Sequence, residues 1–435
     1  MERRIKEKIR EEWNDYLKDL ATVIEVPSVL GEAQADAPFG QASKQAIEVA
    51  TQLAQGYGLD TDIVGNAVGY AQLGADAKDY YGVLGHLDVV PVTNQKWTSD
   101  PFLLTKRGDK LYARGILDNK GPIISCLFGL KILNELGVVP KTPIRVLFGS
   151  DEESGSHDIP LYLAQEKPPI FGFTPDGKYP VVYGERGIVN VEIRTSLSKD
   201  ELAELGEITG DMARDHVSSY VKTSVNGAAI EVSGKSSPSN APELGVNAIT
   251  MLADQLAKLL PKNALQSYFE WLADSLDEKH YGEGLGIAFE DEESGKLIVT
   301  PVILEKEEEG MLLHLAIRYP VTVNEETVIH ALEQHLPPHS TLEVVRRLKS
   351  TNQPKDTPFI RLLSEVYEEE TGLDGTPVTT TGATYARFMP NIVAFGPSFP
   401  GQKGIAHKED EWMNEADLLK NMEIYTLAMY RLASL

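Results

Sequence analysis

Cysteine is all but missing from this sequence: Cys126 is the only one among 435 residues. Alone it closes no internal disulfide, which fits a reducing cytoplasm. Long apolar runs are missing too. The longest, Pro122–Leu133, is interrupted by Ser125, Gly129 and Lys131 and falls short of the ~20 residues that span a bilayer. The N-terminal MERRIKEKIREEW lacks the apolar stretch of a signal peptide. Positive charge is scarce: 41 Lys and Arg face 65 Asp and Glu, a net charge of −24, and no basic block occurs. Such a surface repels phosphate, which argues against nucleic-acid and membrane partners. What is present is ordinary, with 42% apolar and 24% charged residues. That mix fills a sizeable core and excludes disorder or a collagen-like fold. At ~150 residues per domain, two or three domains are expected of an acidic, soluble, cytoplasmic protein.

Apolar spacing then outlines the elements. Ile5, Ile9, Trp13, Tyr16, Leu17 and Leu20 form one helical stripe, and a second helix is expected over about Ser43–Gln55. Tyr80–Leu84 reads as a strand, Gly121–Leu136 as a helix, Ile144–Phe148 as a strand and Phe171–Phe173 as another. After Gly187 the pattern changes: Val189–Arg194 alternates like a half-exposed strand, and further strands and two helices follow. TNQPKDTP punctuates the end of this section near Thr351–Pro354. The first pattern then resumes with a helix over Thr357–Glu369, a strand at Ile392–Phe395 and a long helix over Glu415–Leu432. The expected fold class is α/β: residues 1–187 and 354–435 form a mixed central sheet covered by helices, interrupted by an inserted α+β domain over residues 188–353.

Four segments concentrate His, Asp and Glu where apolar strands end: GHLDVVP (Gly85–Pro91), RGILDNKG (Arg114–Gly121), GSDEESG (Gly149–Gly155) and TPDGKYP (Thr174–Pro180). Ligands collect at the carboxyl ends of strands in open α/β sheets. Singly each segment is weak, since His–x–Asp is more often a structural hydrogen bond and Asp118 could be an ordinary helix cap. Together they supply one imidazole and several carboxylates, the inventory of a two-metal hydrolytic site. Mixed N/O donors suit Zn²⁺, with Mn²⁺ or Co²⁺ as substitutes. DEESG occurs twice, at Asp151–Gly155 and Asp291–Gly295. The first follows a buried-looking strand; the second lies between two strand-like runs, Leu285–Phe289 and Lys296–Ile303, and reads as a hairpin turn without chemistry. His407, in GIAHKEDEW, reads on its own as a surface histidine.

GHLDVVP, ARGILDNKGP, GSDEESG, the TPD–GERG stretch, GATYAR and AHKEDEW resemble, in order, the metal-dependent aminoacylase, carboxypeptidase and acetylornithine deacetylase superfamily. YGEGLGIAF, AIRYP and FGPSFPG make the likeness strongest to PepV-type bacterial dipeptidases, over nearly the whole chain. The resemblance implies a dipeptidase acting on small peptides with a free carboxylate. It implies two divalent ions held by His86, Asp118, Glu153, Asp176 and His407, with Asp118 bridging. Asp88 would orient His86, and Glu152 would be the general base for a metal-bridging water. Arg318 would bind the substrate carboxylate with its guanidinium fork. The enlarged insertion would be a lid that makes a monomer sufficient.

Two departures fall on the substrate side. The family's lid motif resembles GKSAH, whose histidine donates to the oxyanion, but here GKSSP puts Pro238 at that position. Proline has no donor, side-chain or backbone. The segment that usually offers asparagine reads GDMARDHV, with Asp211 near that position. His216 in the same segment is the candidate replacement donor, against its ordinary reading as an exposed lid histidine. Two alternatives therefore stand beside the dipeptidase: a metal-binding homologue with impaired catalysis acting as a binding or regulatory protein, and an amidohydrolase of N-acyl amino acids.

Overall fold

The N-terminal apolar stripe folds as two helices, Glu2–Glu11 and Trp13–Ile24, with the break at Glu12. In the computed structural model, which describes residues 1–75 and 77–435, the chain divides into two compact units. The first comprises Met1–Tyr183, Gln353–Val378 and Gly382–Leu435; the second comprises Gly184–Asn352 and Thr379–Thr381.

The first unit is built on a mixed sheet in the order Asp60–Val64, Val68–Leu73, Ile144–Gly149, Tyr81–His86, Phe171–Thr174, Ile392–Phe395 and Val181–Glu185. The four strands from Ile144–Gly149 to Ile392–Phe395 are mutually parallel, and the flanking strands are antiparallel to them. Parallel strands buried on both faces read as continuous apolar runs, and these do. Val83, Val146 and Phe148 face one core with Phe128 and Tyr425, whereas Leu84 and Leu147 face another with Tyr80, Tyr162 and Tyr385. The helices Lys120–Glu135 and Glu415–Ala433 pack together in the first of these cores. This is the α/β class with a mixed central sheet covered by helices. Parallel alignment brings the carboxyl ends of Tyr81–His86, Ile144–Gly149 and Phe171–Thr174 to one edge.

The second unit carries a four-stranded antiparallel sheet in the order Ile298–Glu307, Gly310–Tyr319, Gly187–Ser196 and Ser340–Leu348. Its apolar face packs with the helices Ala248–Leu259 and Ala264–Leu276. The strand expected to be half-exposed is largely buried, because on the face opposite Val189, Val191 and Ile193 Asn190 is covered too and Glu192 and Arg194 are half-buried. Leu285–Phe289 is no strand. Gly282 and Gly286 take φ of 83° and 66°, so GEGLG folds as a turn. Among the described residues no helix is long and apolar enough to cross a membrane.

Candidate metal centre

His86 ends its strand fully buried. The preceding Gly85 leaves room for Asn119, since a Cβ there would lie 2.4 Å from Asn119 Oδ1. Asn119 in turn accepts from the His86 amide at 3.3 Å and donates to the Pro175 carbonyl at 2.6 Å, tying two strand ends together. Asp118 precedes it through a cis peptide and stands just before the Lys120–Glu135 helix. Its side chain caps nothing there; the helix has no side-chain cap.

His86 Nδ1 lies 2.9 Å from the Asp88 main-chain carbonyl and 3.4 Å from the Asp88 carboxylate. A carbonyl only accepts, so Nδ1 carries the proton and Nε2 is left facing the cavity. Asp88 orients the ring chiefly through its backbone. Its carboxylate is free to accept the main-chain N–H of Glu152 at 3.2 Å and of Glu153 at 3.0 Å. The sharp loop after Ile144–Gly149 is thereby held with both glutamate side chains in the cavity.

The remaining groups converge on Asp118. One carboxylate oxygen lies 3.0 Å from His86 Nε2 and the other 3.0 Å from His407 Nε2. Glu153 is also 3.0 Å from His407 Nε2, and Asp176 is 3.7 Å from His86 Nε2. Glu152 stands 4.0 Å from the same His86 nitrogen. Two donor groups result, His86–Asp118–Asp176 and Asp118–Glu153–His407, each with its ligand atoms within 4.8 Å of one another. A cavity of about 230 Å³ opens beside them, lined by Asp118, Glu152, Glu153, Asp176 and His407 together with Ala383 and Ser398.

Charge dominates this cluster. Burial and the neighbouring Asp176 push Glu152 well above the usual carboxylate range. Burial and Asp118 do the same to Asp176. Hydrogen bonds donated to the carboxylates of Asp118 and Glu153 raise His407 to about 11. Burial opposes protonation of His86, yet the carboxylates of Asp88 and Asp118 prevail and hold it well above its ordinary value. Four carboxylates and two imidazoles crowd one cavity, and a pair of divalent cations would relieve the crowding. The donor set of one imidazole and two carboxylates in each group, with one carboxylate shared, fits that pair.

The other candidates lie in the second unit. Arg318 stands on the Gly310–Tyr319 strand, in register with Ile188 and Ile298. His216 forms an isolated antiparallel bridge with Pro238, the position where the family histidine is expected. Its ring nitrogens each lie 2.7 Å from an oxygen, the Asp215 carboxylate and the Asp211 carbonyl. The Asp211 carboxylate accepts from the hydroxyls of Ser218 and Ser219 and from the amides of Ser219 and Tyr220, so it anchors its own loop. The second DEESG makes a two-residue ladder, Glu290–Asp291 against Gly295–Lys296, and Asp291 accepts from the Ser294 and Thr322 amides. Two residues that brace the first unit's centre were missed from sequence. Asn119 sits beside Asp118 in a plain helix-start pattern, and Glu411 lies in the charged run that ends AHKEDEW.

The chain is 30% identical over 454 residues to YtjP of Bacillus subtilis (strain 168), a protein named for a proposed dipeptidase activity, covering 96% of this chain and 97% of that one. Its fold is similar to that of human carnosine dipeptidase 1, with a TM-score of 0.64 at 14% identity, covering 100% and 99% of the two chains. It is also similar to an M20 family metallo-carboxypeptidase from Sulfolobus solfataricus, with a TM-score of 0.60 at 16% identity, covering 95% and 99%. The profile of Peptidase family M20/M25/M40 matches residues 82–431, and the chain belongs to that family of peptidases.

Proposed function

We propose that this metal-dependent peptidase is a PepV-type dipeptidase, cleaving the amide bond of small peptides that end in a free carboxylate. The single observation that carries the two-metal reading is the Asp118 carboxylate, with one oxygen 3.0 Å from His86 and the other 3.0 Å from His407. His86, Asp118 and Asp176 would hold one ion, and Asp118, Glu153 and His407 the other. Zn²⁺ suits these mixed donors best, and Mn²⁺ or Co²⁺ could replace it. When bound, the two ions polarise the scissile carbonyl and lower the pKa of water.

Glu152 is the general base. It takes a proton from the attacking water and passes it to the leaving amine. Asp88 holds His86 in the tautomer that leaves Nε2 to face the cavity. In the inserted domain, residues 188–353, Arg318 binds the substrate carboxylate as a two-pronged donor and His216 donates to the developing oxyanion. That domain acts as a lid, and the chain works as a cytoplasmic monomer. The buried, unpaired Cys126 suits a reducing compartment.

Turnover of a dipeptide panel with added Zn²⁺ or Mn²⁺ tests this reading. The Glu152→Ala variant should lose activity by ~10²–10⁴-fold. Preference for N-acyl amino acids would move the substrate class. Two bound ions with no turnover on any substrate would leave a binding or regulatory homologue, the reading that Pro238 favours.

A further inference from the structure

His407 supplies a donor from an exposed loop. Its side chain is 53% exposed, and its backbone sits at φ 64°, a region that non-glycine residues rarely adopt. Something outside the loop must hold it there.

The side chain that reaches across is Glu411. It is 1% exposed, and its Oε1 accepts from the amides of Leu117 and Asp118 at 2.9 and 3.1 Å. Its Oε2 accepts from Arg114 Nη1 at 2.6 Å, a pair whose side chains are 0% and 1% exposed. The same guanidinium donates through Nη2 to Gln95 Oε1 at 2.7 Å and through Nη1 to the Lys408 carbonyl at 3.3 Å. Gln95 Nε2 then donates to the His407 carbonyl at 2.9 Å. One planar fork therefore links the backbone of Asp118 to the backbone of His407. A lysine could not do this, because its single ammonium lacks two donors at fixed separation.

We propose that Glu411, Arg114 and Gln95 form a positioning clasp that sets the spacing between Asp118 and His407, and with it the affinity for the ion shared by Asp118, Glu153 and His407. The clasp rests on the two-metal reading above. Among the described residues it is hydrogen-bonded to neither His86 nor Asp176 and meets that side of the centre only through the shared Asp118, whereas it also holds His407, so the ion held by His86, Asp118 and Asp176 depends on it less. Removing a partner from a buried ion pair strands a charge, so Glu411→Ala could simply unfold the chain. Two gentler variants are used instead. Glu411→Gln keeps an acceptor for the two amides but leaves Arg114 without its counter-charge, and Gln95→Ala removes the tie to His407 together with the acceptor of Arg114 Nη2 and of the Trp97 indole N–H.

Titration of the metal-free full-length protein with Zn²⁺ by calorimetry is the test. Both variants should weaken one of the two ions about tenfold and the other less than twofold; the melting temperature of the metal-free protein should change little in Gln95→Ala and fall in Glu411→Gln, which leaves the buried Arg114 charge unpaired. In a His407→Ala background, Gln95→Ala should leave the remaining ion's affinity where it was. Wild-type affinity for both ions in both variants would overturn the clasp, as would equal weakening of both ions. Wild-type protein that takes up fewer than two zinc ions would overturn the two-metal reading, and the clasp with it.

Discussion

The main-chain carbonyl of Asp88 receives the Nδ1 proton of His86 at 2.9 Å, while the Asp88 carboxylate receives the amides of Glu152 and Glu153. One residue thus fixes an imidazole with its backbone and the glutamate loop with its side chain. Asp88→Ala leaves the carbonyl in place and removes the acceptor of two amides, an omission that costs about 1–3 kcal/mol for each buried group left unpaired. The expected result is a kcat lower by roughly 10–100-fold, because Glu152, the proposed base, is displaced. Elemental analysis should still find metal at the His86 side. Loss of that metal with a normal Glu152 environment would reverse the assignment, making ring orientation the main task of the carboxylate.

Asp118 makes the second prediction. A shared carboxylate offsets positive charge on both sides, so its removal exposes repulsion between two cations. Asp118→Ala should retain at most one tightly held divalent ion per chain after gel filtration. Chelator treatment of the wild-type protein should abolish peptidase activity, and added Zn²⁺ should restore it. Two tightly held ions in Asp118→Ala would contradict the bridging role.

How much of this was legible beforehand follows from local physics. Ile392–Phe395 is an uninterrupted apolar run and is a strand with those bounds. His86, Glu153 and Asp176 announce themselves because each follows or ends such a run. The break at Glu12 carries no proline or glycine; Glu12 pairs with Lys8 one turn back and with Lys131, and the second contact, from a distant helix, is invisible in the stripe. Leu285–Phe289 misled because apolar content outweighed two glycines that require positive φ. Glu411 was hidden for a different reason. Within Lys408–Glu411 nothing in the letters marks which carboxylate is buried, and burial is decided by Arg114, almost 300 positions away.

Arg318 sets the third test. If its guanidinium receives the substrate's terminal carboxylate, Arg318→Ala should raise KM for dipeptides by about 10–100-fold and spare C-terminally amidated analogues. Steady-state kinetics on matched pairs of substrates reads this directly. An equal loss on both members of each pair would mark a role in folding.

Asp158 gives the pH dependence. It is fully buried, and its carboxylate accepts from the Tyr385 hydroxyl and from the Ser150 amide at 2.8 Å. Burial, reinforced by the charges of Asp88 and Asp151, lifts it to about 7 against hydrogen bonds that favour the ionised form. A carboxyl whose folded value is raised binds its proton more tightly when folded. Its stabilising contribution is complete below about 4 and is lost as pH rises to about 7, a change of about 4 kcal/mol. Asp158→Asn cannot ionise, so its melting temperature relative to wild type should climb between pH 4 and 7 and then level off. A difference that stays flat across that window would show that Asp158 is ionised throughout.

The last prediction concerns the bridge between His216 and Pro238. Pro238 occupies the position where the family resemblance calls for an oxyanion donor, and proline can donate from neither side chain nor backbone. A residue paired with it across a bridge is close enough to present a donor from the neighbouring segment. His216 currently has its ring nitrogens on Asp215 and the Asp211 carbonyl, so one of those contacts must be exchanged when substrate is held. The hydrogen bond to Asp215 raises its pKa against the pull of burial, which favours the protonated, doubly donating ring. Loss of one oxyanion donor costs ~10²–10³ in rate. His216→Ala should therefore lower kcat by at least ~10²-fold with the metal content unchanged. Pro238→His, added to that variant, should return part of the activity, because it places an imidazole on the other side of the same bridge. Undiminished turnover in His216→Ala would remove His216 from the reaction, and a Pro238→His variant more active than wild type would show that the proline alone limits the rate.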